Sequence, residues 1–336
     1  GKTGQIVINE KMDVVMPGYA WDLLPKKNKM LDKYRAHFWH TNFLQEERTP
    51  FAAIYTSLGC QFACNFCMIN IVNRTSHDDN ITAANSKGMR FWSPNLILKE
   101  FEKLYEFGVK TLRISDEMFF LNRKYYVPIL EGLIQRGLKF NLWAYARVDS
   151  VRKDQLELFK RAGVNWLALG IESGSQEVRI EIDKGKFKQV NIREVVQNIK
   201  NAGINVLGNY IFGFPDDNIK TMNETLDLAM ELNCEHSNFY SAQALPGSPL
   251  YHFAKKEGWD IPSKYEEFAF LSYECKPLRT KYLKGNEVLK FRDEAWHKYF
   301  SNSNFLDLVA KKFGNAAAKN VTDLSKIKLK RKILGD

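Results

Sequence analysis

The sequence contains no apolar run of transmembrane length and opens on no signal-peptide pattern, so a cytoplasmic protein is expected. It is poor in cysteine: five in 336 residues, an odd number that fits a disulfide framework badly. No second cysteine pair is present to complete a zinc site, because Cys234 and Cys275 stand alone. No repeat of fixed spacing marks a solenoid. Positive charge, by contrast, is plentiful. The net charge of +10 favours a small acidic or phosphorylated substrate, an anionic cofactor or a nucleic acid. Part of that excess sits in the tail "KIKLKRKILGD", where a solvated terminal helix is expected. Apolar residues make up 45% of the chain, enough for a sizeable core.

Three of the five cysteines crowd into "SLGCQFACNFCMIN", at Cys60, Cys64 and Cys67. Thiolates from one loop can hold three irons of a four-iron cluster and leave the fourth iron open to a small molecule. The bland alternative is a zinc ion or a fully ligated cluster that only staples the fold.

Around this loop the chain alternates helix and strand. "FAAIYTS" is a short apolar run that ends at the cysteines. Four amphipathic stretches then end in glycine, at Gly108, Gly137, Gly163 and Gly203, each followed at once by a strand-like run. A sixth unit, "IKTMNETLDLAMELN" then "SNFYSAQA", completes the series. Strands are expected near 51–57, 109–115, 139–146, 165–171, 205–212 and 236–243, in parallel βα units of an α/β protein. Helices are expected near 284–300, 303–318 and 322–333.

The pattern Cys60-x-x-x-Cys64-x-Phe66-Cys67 resembles the signature of radical S-adenosylmethionine (SAM) enzymes, including the aromatic residue before the last cysteine. The resemblance runs from about Trp21 to about Gly258. It implies a partial (β/α)6 TIM-like barrel over 51–258, preceded by a strap over 1–50 and followed by a helical basic extension over 259–336. It implies a 4Fe-4S cluster whose open iron chelates SAM, and reductive cleavage of SAM to a 5′-deoxyadenosyl radical. An electron donor such as flavodoxin or ferredoxin would then be a partner.

In such barrels the chemistry lies at the C-terminal ends of the strands. The resemblance puts Ser115, Asp116 and Glu117 of "SDEMFF" at the SAM amino group; a helix N-cap is the structural alternative for the first two. Arg147 of "YARVD" can pair with a carboxylate, or equally with Asp149 or Asp154. Glu172 of "GIESGS" is placed beside the SAM ribose or amino group, with Ser173 as neighbour. Lys184 falls where a SAM-contacting lysine is sometimes found, although a solvated lysine is the plainer reading. Ile211 would pack on the adenine, and Gly213 would let the backbone approach the ligand. The chain then departs from the usual Gly-x-Pro-Gly-Glu-Thr, reading Gly213-Phe214-Pro215-Asp216-Asp217, where Asp217 is the candidate substitute acid.

The segment "PGYAWDLLPKKNKMLDKY" resembles the linker that follows the cobalamin-binding domain in cobalamin-dependent radical SAM proteins, through Pro17, Trp21, Asp22, Leu23, Leu24, Pro25 and Tyr34. No Asp-x-His-x-x-Gly loop precedes Cys60, and the chain opens on Gly1. The expectation is therefore either the catalytic part of a longer protein, with cobalamin held by an upstream domain, or a member without that domain. The first implies methylation of an unactivated carbon; the second implies radical rearrangement, oxidation or coupling. As plain physics the segment is a hydrophobic strap, with Trp21, Leu23 and Leu24 covering one barrel end. A reading from another class is a basic nucleic-acid-binding module with a structural metal, its bases stacking on "HFWHTNF" (37–43). His37 and His40 could also bind metal, although packing is the commoner fate of such residues. Cys234 is expected in the core, and Cys275 as an inert thiol.

Overall fold

Short β-branched and aromatic runs form six strands: β1 Phe51–Ile54, β2 Thr111–Ile114, β3 Asn141–Arg147, β4 Val164–Glu172, β5 Asn205–Phe212 and β6 His236–Ser241. In this computed structural model, which describes residues 12–26, 31, 33–44, 48–69, 89–182 and 190–336, they make one sheet in sequential order. Every neighbouring pair is parallel. The connections are helices α1 Pro94–Glu106, α2 Arg123–Gln135, α3 Leu156–Arg161, α4 Ile192–Asn201 and α5 Ile219–Leu232. This is the partial barrel expected, because parallel neighbours need a crossover and the crossover helix covers the sheet's outer face. All four repeat glycines adopt positive φ, between +65° and +92°. They stop each helix and turn the chain into the next strand. Lys184 lies outside the described residues.

The two faces of the sheet differ. Outward-facing Tyr210 and Phe212 each stack on Phe239, and Phe291 and Tyr299 of a later helix, α7 Gly285–Phe300, meet Phe212 and Phe239 edge-on. The inner face is closed at its base by residues 36–43. Trp39 packs edge-on to Trp143 and Trp166, with ring centroids 5.1 and 5.0 Å apart, and stacks on His236. Burial holds His40 neutral, pushing it down to about 2, and His236 down to about 3. Trp39, His40 and Phe43 are all buried. Through Trp39, His40 and Phe43 the "HFWHTNF" stretch is thus a barrel plug, with His37 exposed and Phe38 half-buried at its edge. Among the described residues no three His, Cys, Asp or Glu side chains converge on one ion, so His37 and His40 do not sit in a metal cage.

The strap also departs from expectation in one residue. Trp21 and Leu24 pack on the core, and Trp21 Nε1 donates to the buried Glu100 at 2.8 Å. Leu23 points outward, 80% exposed.

At the other end, α6 Pro249–Lys256 leads to α7, then α8 Ser303–Phe313 and α9 Asn315–Ser325. Their buried residues, among them Tyr299, Phe305, Val309 and Val321, share one core with the barrel. A helix running to 318 was expected. Gly314, with φ of +94° and ψ of 163°, instead breaks it and starts α9. The tail beyond Ser325 is solvated but not the expected helix: only a short turn at Lys332–Leu334 follows α9, and Arg331 alone among residues 326–336 is buried. No described helix is long and apolar enough to cross a membrane.

Candidate functional site

The C-terminal strand ends converge on the cysteine loop, which leaves β1 through Thr56 and Ser57. Asp116, just past β2, clasps that exit. Its carboxylate accepts from Thr56 N at 2.6 Å, Thr56 Oγ1 at 2.7 Å and Ser57 Oγ at 2.5 Å. Tyr125 adds a hydrogen bond from its hydroxyl to Thr56 O. Asp116 has no exposed surface. Its carboxylate is therefore committed to bracing the loop. Ser115 is buried, and its backbone N–H donates to Ile54 O at 2.7 Å. Neither residue caps a helix; Asn122 caps α2, accepting from Lys124 N.

Glu117 differs from Asp116. Burial raises its pKa, with its own backbone N–H and that of Gly59 working against the rise. Its second oxygen, Oε2, is buried with no partner. A buried carboxylate oxygen without a donor is costly. Beside the cysteines it suits a cationic amine.

The loop itself is pinned at Asn65. Its N–H bonds Ile182 O, its side chain donates to Glu181 O at 2.8 Å, and its carbonyl accepts Leu250 N at 2.9 Å. Cys67 N bonds Cys64 O at 3.0 Å, a turn between two of the thiols. Cys64 is buried; Cys60 and Cys67 are half-buried. Burial raises the Cys60 thiol, and Cys67 raises it further, while Arg147 works against both. Three soft donors on one fixed, partly buried loop fit an iron–sulfur cluster. Thiolates around such a cluster bind separate irons and need not converge on one point.

Of the two partners left open for Arg147, the structure shows Asp149. Its Nε and Nη2 grip the two Asp149 carboxylate oxygens at 2.8 and 2.6 Å, and its guanidinium lies 3.6 Å from the Phe62 ring centroid. It ties the β3 exit to the cysteine loop, and its bidentate edge is already occupied. Ser173 also has structural work. Its hydroxyl contacts Thr225 Oγ1 at 3.1 Å and accepts Ser175 N at 3.1 Å.

Glu172 ends β4 with φ of +64°, a left-handed conformation rare for a residue with a side chain, where the register with β5 shifts. Such backbone strain costs on the order of 1–3 kcal/mol and gathers at functional sites. Phe66 packs with Ile211 and Phe214, the two Phe centroids being 5.3 Å apart. Phe66 and Phe214 border a cavity of about 340 Å³ with Val178, Ile182 and Leu250, and a Lys281–Asp216 ion pair at its rim. The structure thus brings Phe66 and Ile211 together.

Gly213 is needed for another reason than the one read from sequence. A Cβ there would meet Val288 Cγ1 of α7 at 2.4 Å, so the close approach is to protein. Asp217 is buried and takes Gly213 N, Phe214 N and Thr221 Oγ1, so it too is a loop brace. Sequence reasoning missed Phe62, Asn65 and Tyr125. Their partners lie far along the chain, and no local spacing marks them.

Burial pushes both bracing acids up from 3.8 to about 6, against the hydrogen bonds that lower them. A carboxyl raised on folding binds its proton more tightly in the folded chain than in the unfolded one. Stability from these groups therefore grows as pH falls from about 6 toward 4 and is lost as pH rises back, by on the order of 2–3 kcal/mol per group. The urea midpoint of Asp116→Asn should accordingly gain less than that of the wild type between about pH 7 and 5. An equal gain would show that Asp116 does not titrate this way.

The Radical SAM superfamily matches residues 54–229, more than half of the chain. An uncharacterized methyltransferase of Pyrococcus horikoshii is 26% identical over 289 residues, covering 86% of this chain and 56% of the relative. Bacteriochlorophyllide d C-12(1)-methyltransferase of Chlorobaculum tepidum is 28% identical over 243 residues, covering 70% and 49%. The chain spans about half the length of these curated relatives. Among solved structures, the radical SAM methyltransferase TsrM from Kitasatospora setae, with cobalamin and a [4Fe-4S] cluster bound, superposes with a TM-score of 0.53. That match covers 62% of this chain and 40% of TsrM at 18% identity, a likeness of fold. With its cysteine loop at the end of β1 and its parallel half-barrel, the chain belongs to the radical SAM superfamily of enzymes, and that membership implies SAM and a 4Fe-4S cluster as cofactors.

Proposed function

We propose that the chain is the catalytic part of a radical SAM methyltransferase acting on an unactivated carbon. The observation that carries this is the cysteine loop of Cys60, Cys64 and Cys67 facing Glu117, whose Oε2 lacks a partner. A bound cluster supplies one electron for reductive cleavage of SAM to a 5′-deoxyadenosyl radical. The chain does the rest. Cys60, Cys64 and Cys67 hold the cluster. Glu117 and Glu172 orient the SAM amine and ribose. Phe66 and Ile211 offer apolar faces to the adenine, and Asp116 with Arg147 keeps the loop in place. Burial at the strand ends limits water around these groups. Flavodoxin or ferredoxin supplies the electron, and the net charge of +10 complements an acidic carrier.

Cobalamin, held by a domain outside this chain, is the methyl carrier in this reading. TsrM, which carries cobalamin, and the methyltransferases among the relatives support it. So does the apolar surface of the strap: Val14, Val15 and Leu23 are 72%, 52% and 80% exposed, which suits a face covered by another domain.

The test is anaerobic incubation of the reconstituted full-length protein with SAM, a strong reductant and hydroxocobalamin. Cobalamin uptake with both 5′-deoxyadenosine and S-adenosylhomocysteine formed is the expected result. 5′-Deoxyadenosine alone, without cobalamin uptake, would replace methylation by radical rearrangement, oxidation or coupling. Glu172→Ala should keep its iron and lose about tenfold or more in SAM affinity, the scale of a charge-assisted hydrogen bond. Unchanged affinity would remove Glu172 from the SAM site.

A further inference from the structure

Above the aromatic plug the inner face of the barrel is polar and open. Side chains alternate along a strand, so residues two apart share a face. Trp143 meets the plug residue Trp39, which places Tyr145 on the same inner face. Arg113 of β2 sits beside Trp143 in the register. Across the lumen, Asn209 and Ile211 of β5 and Asn238 and Tyr240 of β6 face inward, since Tyr210, Phe212 and Phe239 face out. Arg113, Tyr145, Asn209, Asn238 and Tyr240 are all half-exposed although they lie mid-strand. Ala53, Ala168 and Gly170 leave room between them.

Arg113 is the unusual member. Its guanidinium lies 4.5 Å from the Trp143 ring centroid and 5.1 Å from that of Tyr145, and Nη2 donates to the Tyr145 hydroxyl at 2.6 Å. Its Nε is buried with no acceptor. Among the described residues no carboxylate forms an ion pair with it, whereas Arg147 has Asp149 and Arg331 has Asp293. A partly buried cation without a counter-charge is costly unless something fills the gap. Facing it, Asn209 accepts from Asn238 at 3.1 Å and from Tyr240 at 3.4 Å. Tyr240 also feels the charge of Glu172, so this wall reaches the strained strand end.

We propose that this chamber is the substrate pocket and that Arg113 binds a carboxylate on a flat, largely apolar substrate. This rests on the radical SAM reading of the cysteine loop above it. A planar carboxylate matches a guanidinium edge. One cation suits one negative charge, because the histidines below Arg113 are held neutral. Tyr145 and Tyr240, both partly exposed, supply ring faces for an aromatic or conjugated body. Tyr145 is a positioning residue: its hydroxyl fixes the guanidinium plane.

The test is calorimetric titration of the reconstituted holoprotein with 2-naphthoate and with its neutral isostere 2-naphthamide. The wild type should bind the acid at least about tenfold more tightly. Arg113→Gln should erase the preference, Arg113→Lys should keep part of it, and Lys330→Gln on the exposed tail should leave it intact. If Arg113→Gln does not fold, Arg113→Lys and Tyr145→Phe carry the test, each expected to weaken acid binding but not amide binding. Equal binding of acid and amide, no binding of either, or a preference that survives Arg113→Gln would overturn the proposal. Iron and sulfide content of the same preparation reads the cofactor assignment separately. A protein with its cluster but no acid preference fails only this inference; a protein with the preference but no cluster fails only the other.

Discussion

Replacing any one of Cys60, Cys64 and Cys67 with alanine is expected to abolish the cluster and, with it, all SAM cleavage. Each thiolate would hold a different iron, so no neighbour can take over a lost ligand. The loop offers no other thiol; Gln61, Phe62, Asn65 and Phe66 carry no sulfur, and Met68 beside Cys67 has only a neutral thioether. Cys234→Ala and Cys275→Ala should keep full iron content. Cys234 is completely buried, and burial pushes its thiol up to about 12. Cys275 is buried too, with Gln243 Nε2 at 3.7 Å from its sulfur. Neither lies on the cysteine loop, and each is buried away from solvent. The measurement is iron per chain and the absorbance near the sulfur-to-iron charge-transfer bands for all five variants. If all five lose iron equally, the division between ligands and bystanders is wrong.

Arg331→Ala is expected to be the most destabilising change in the C-terminal extension. Nε and Nη2 grip Asp293 at 2.8 and 2.9 Å, while Nη1 donates to the carbonyls of Phe270 and Ser272, both at 2.9 Å. Arg292, next to Asp293 in sequence, shares that carboxylate and donates to Phe239 O on β6. The tail is thereby tied through α7 to the barrel. Truncation would leave two part-buried carbonyls without these donors and Asp293 without its Arg331 bonds. Breaking such a buried pair costs about 3–5 kcal/mol, which lowers the unfolding midpoint by roughly 5–10 °C in a chain of this size. Lys330→Ala, one residue away and exposed, should change it by less than about 0.5 kcal/mol. Similar midpoints for the two variants would mean that the tail is not docked.

The sequence exposed the barrel because its signals are local. A glycine that ends a helix and an apolar run that follows sit within a dozen residues, and β5 was bounded at 205–212 on that basis. The cysteine loop and Phe66 were legible for the same reason. Jobs that depend on distant partners were not. Asp116 was placed at the SAM amine by resemblance, while its carboxylate bonds to Thr56 and Ser57, some sixty residues earlier, could not be read from the sequence. Gly213 looked like a cofactor contact, yet the atom it must avoid belongs to Val288. Arg113 drew no notice, since a lone arginine within a strand run carries no pattern. Arg331 was hidden within a run of exposed lysines, and its burial depends on Asp293 in another helix.

The central claim is that the cysteine loop holds a redox-active iron–sulfur cluster in a radical SAM enzyme. Metal and acid-labile sulfide analysis of the anaerobically reconstituted wild-type protein tests it most directly. The account predicts about four irons and four sulfides per chain; zinc without sulfide would contradict it.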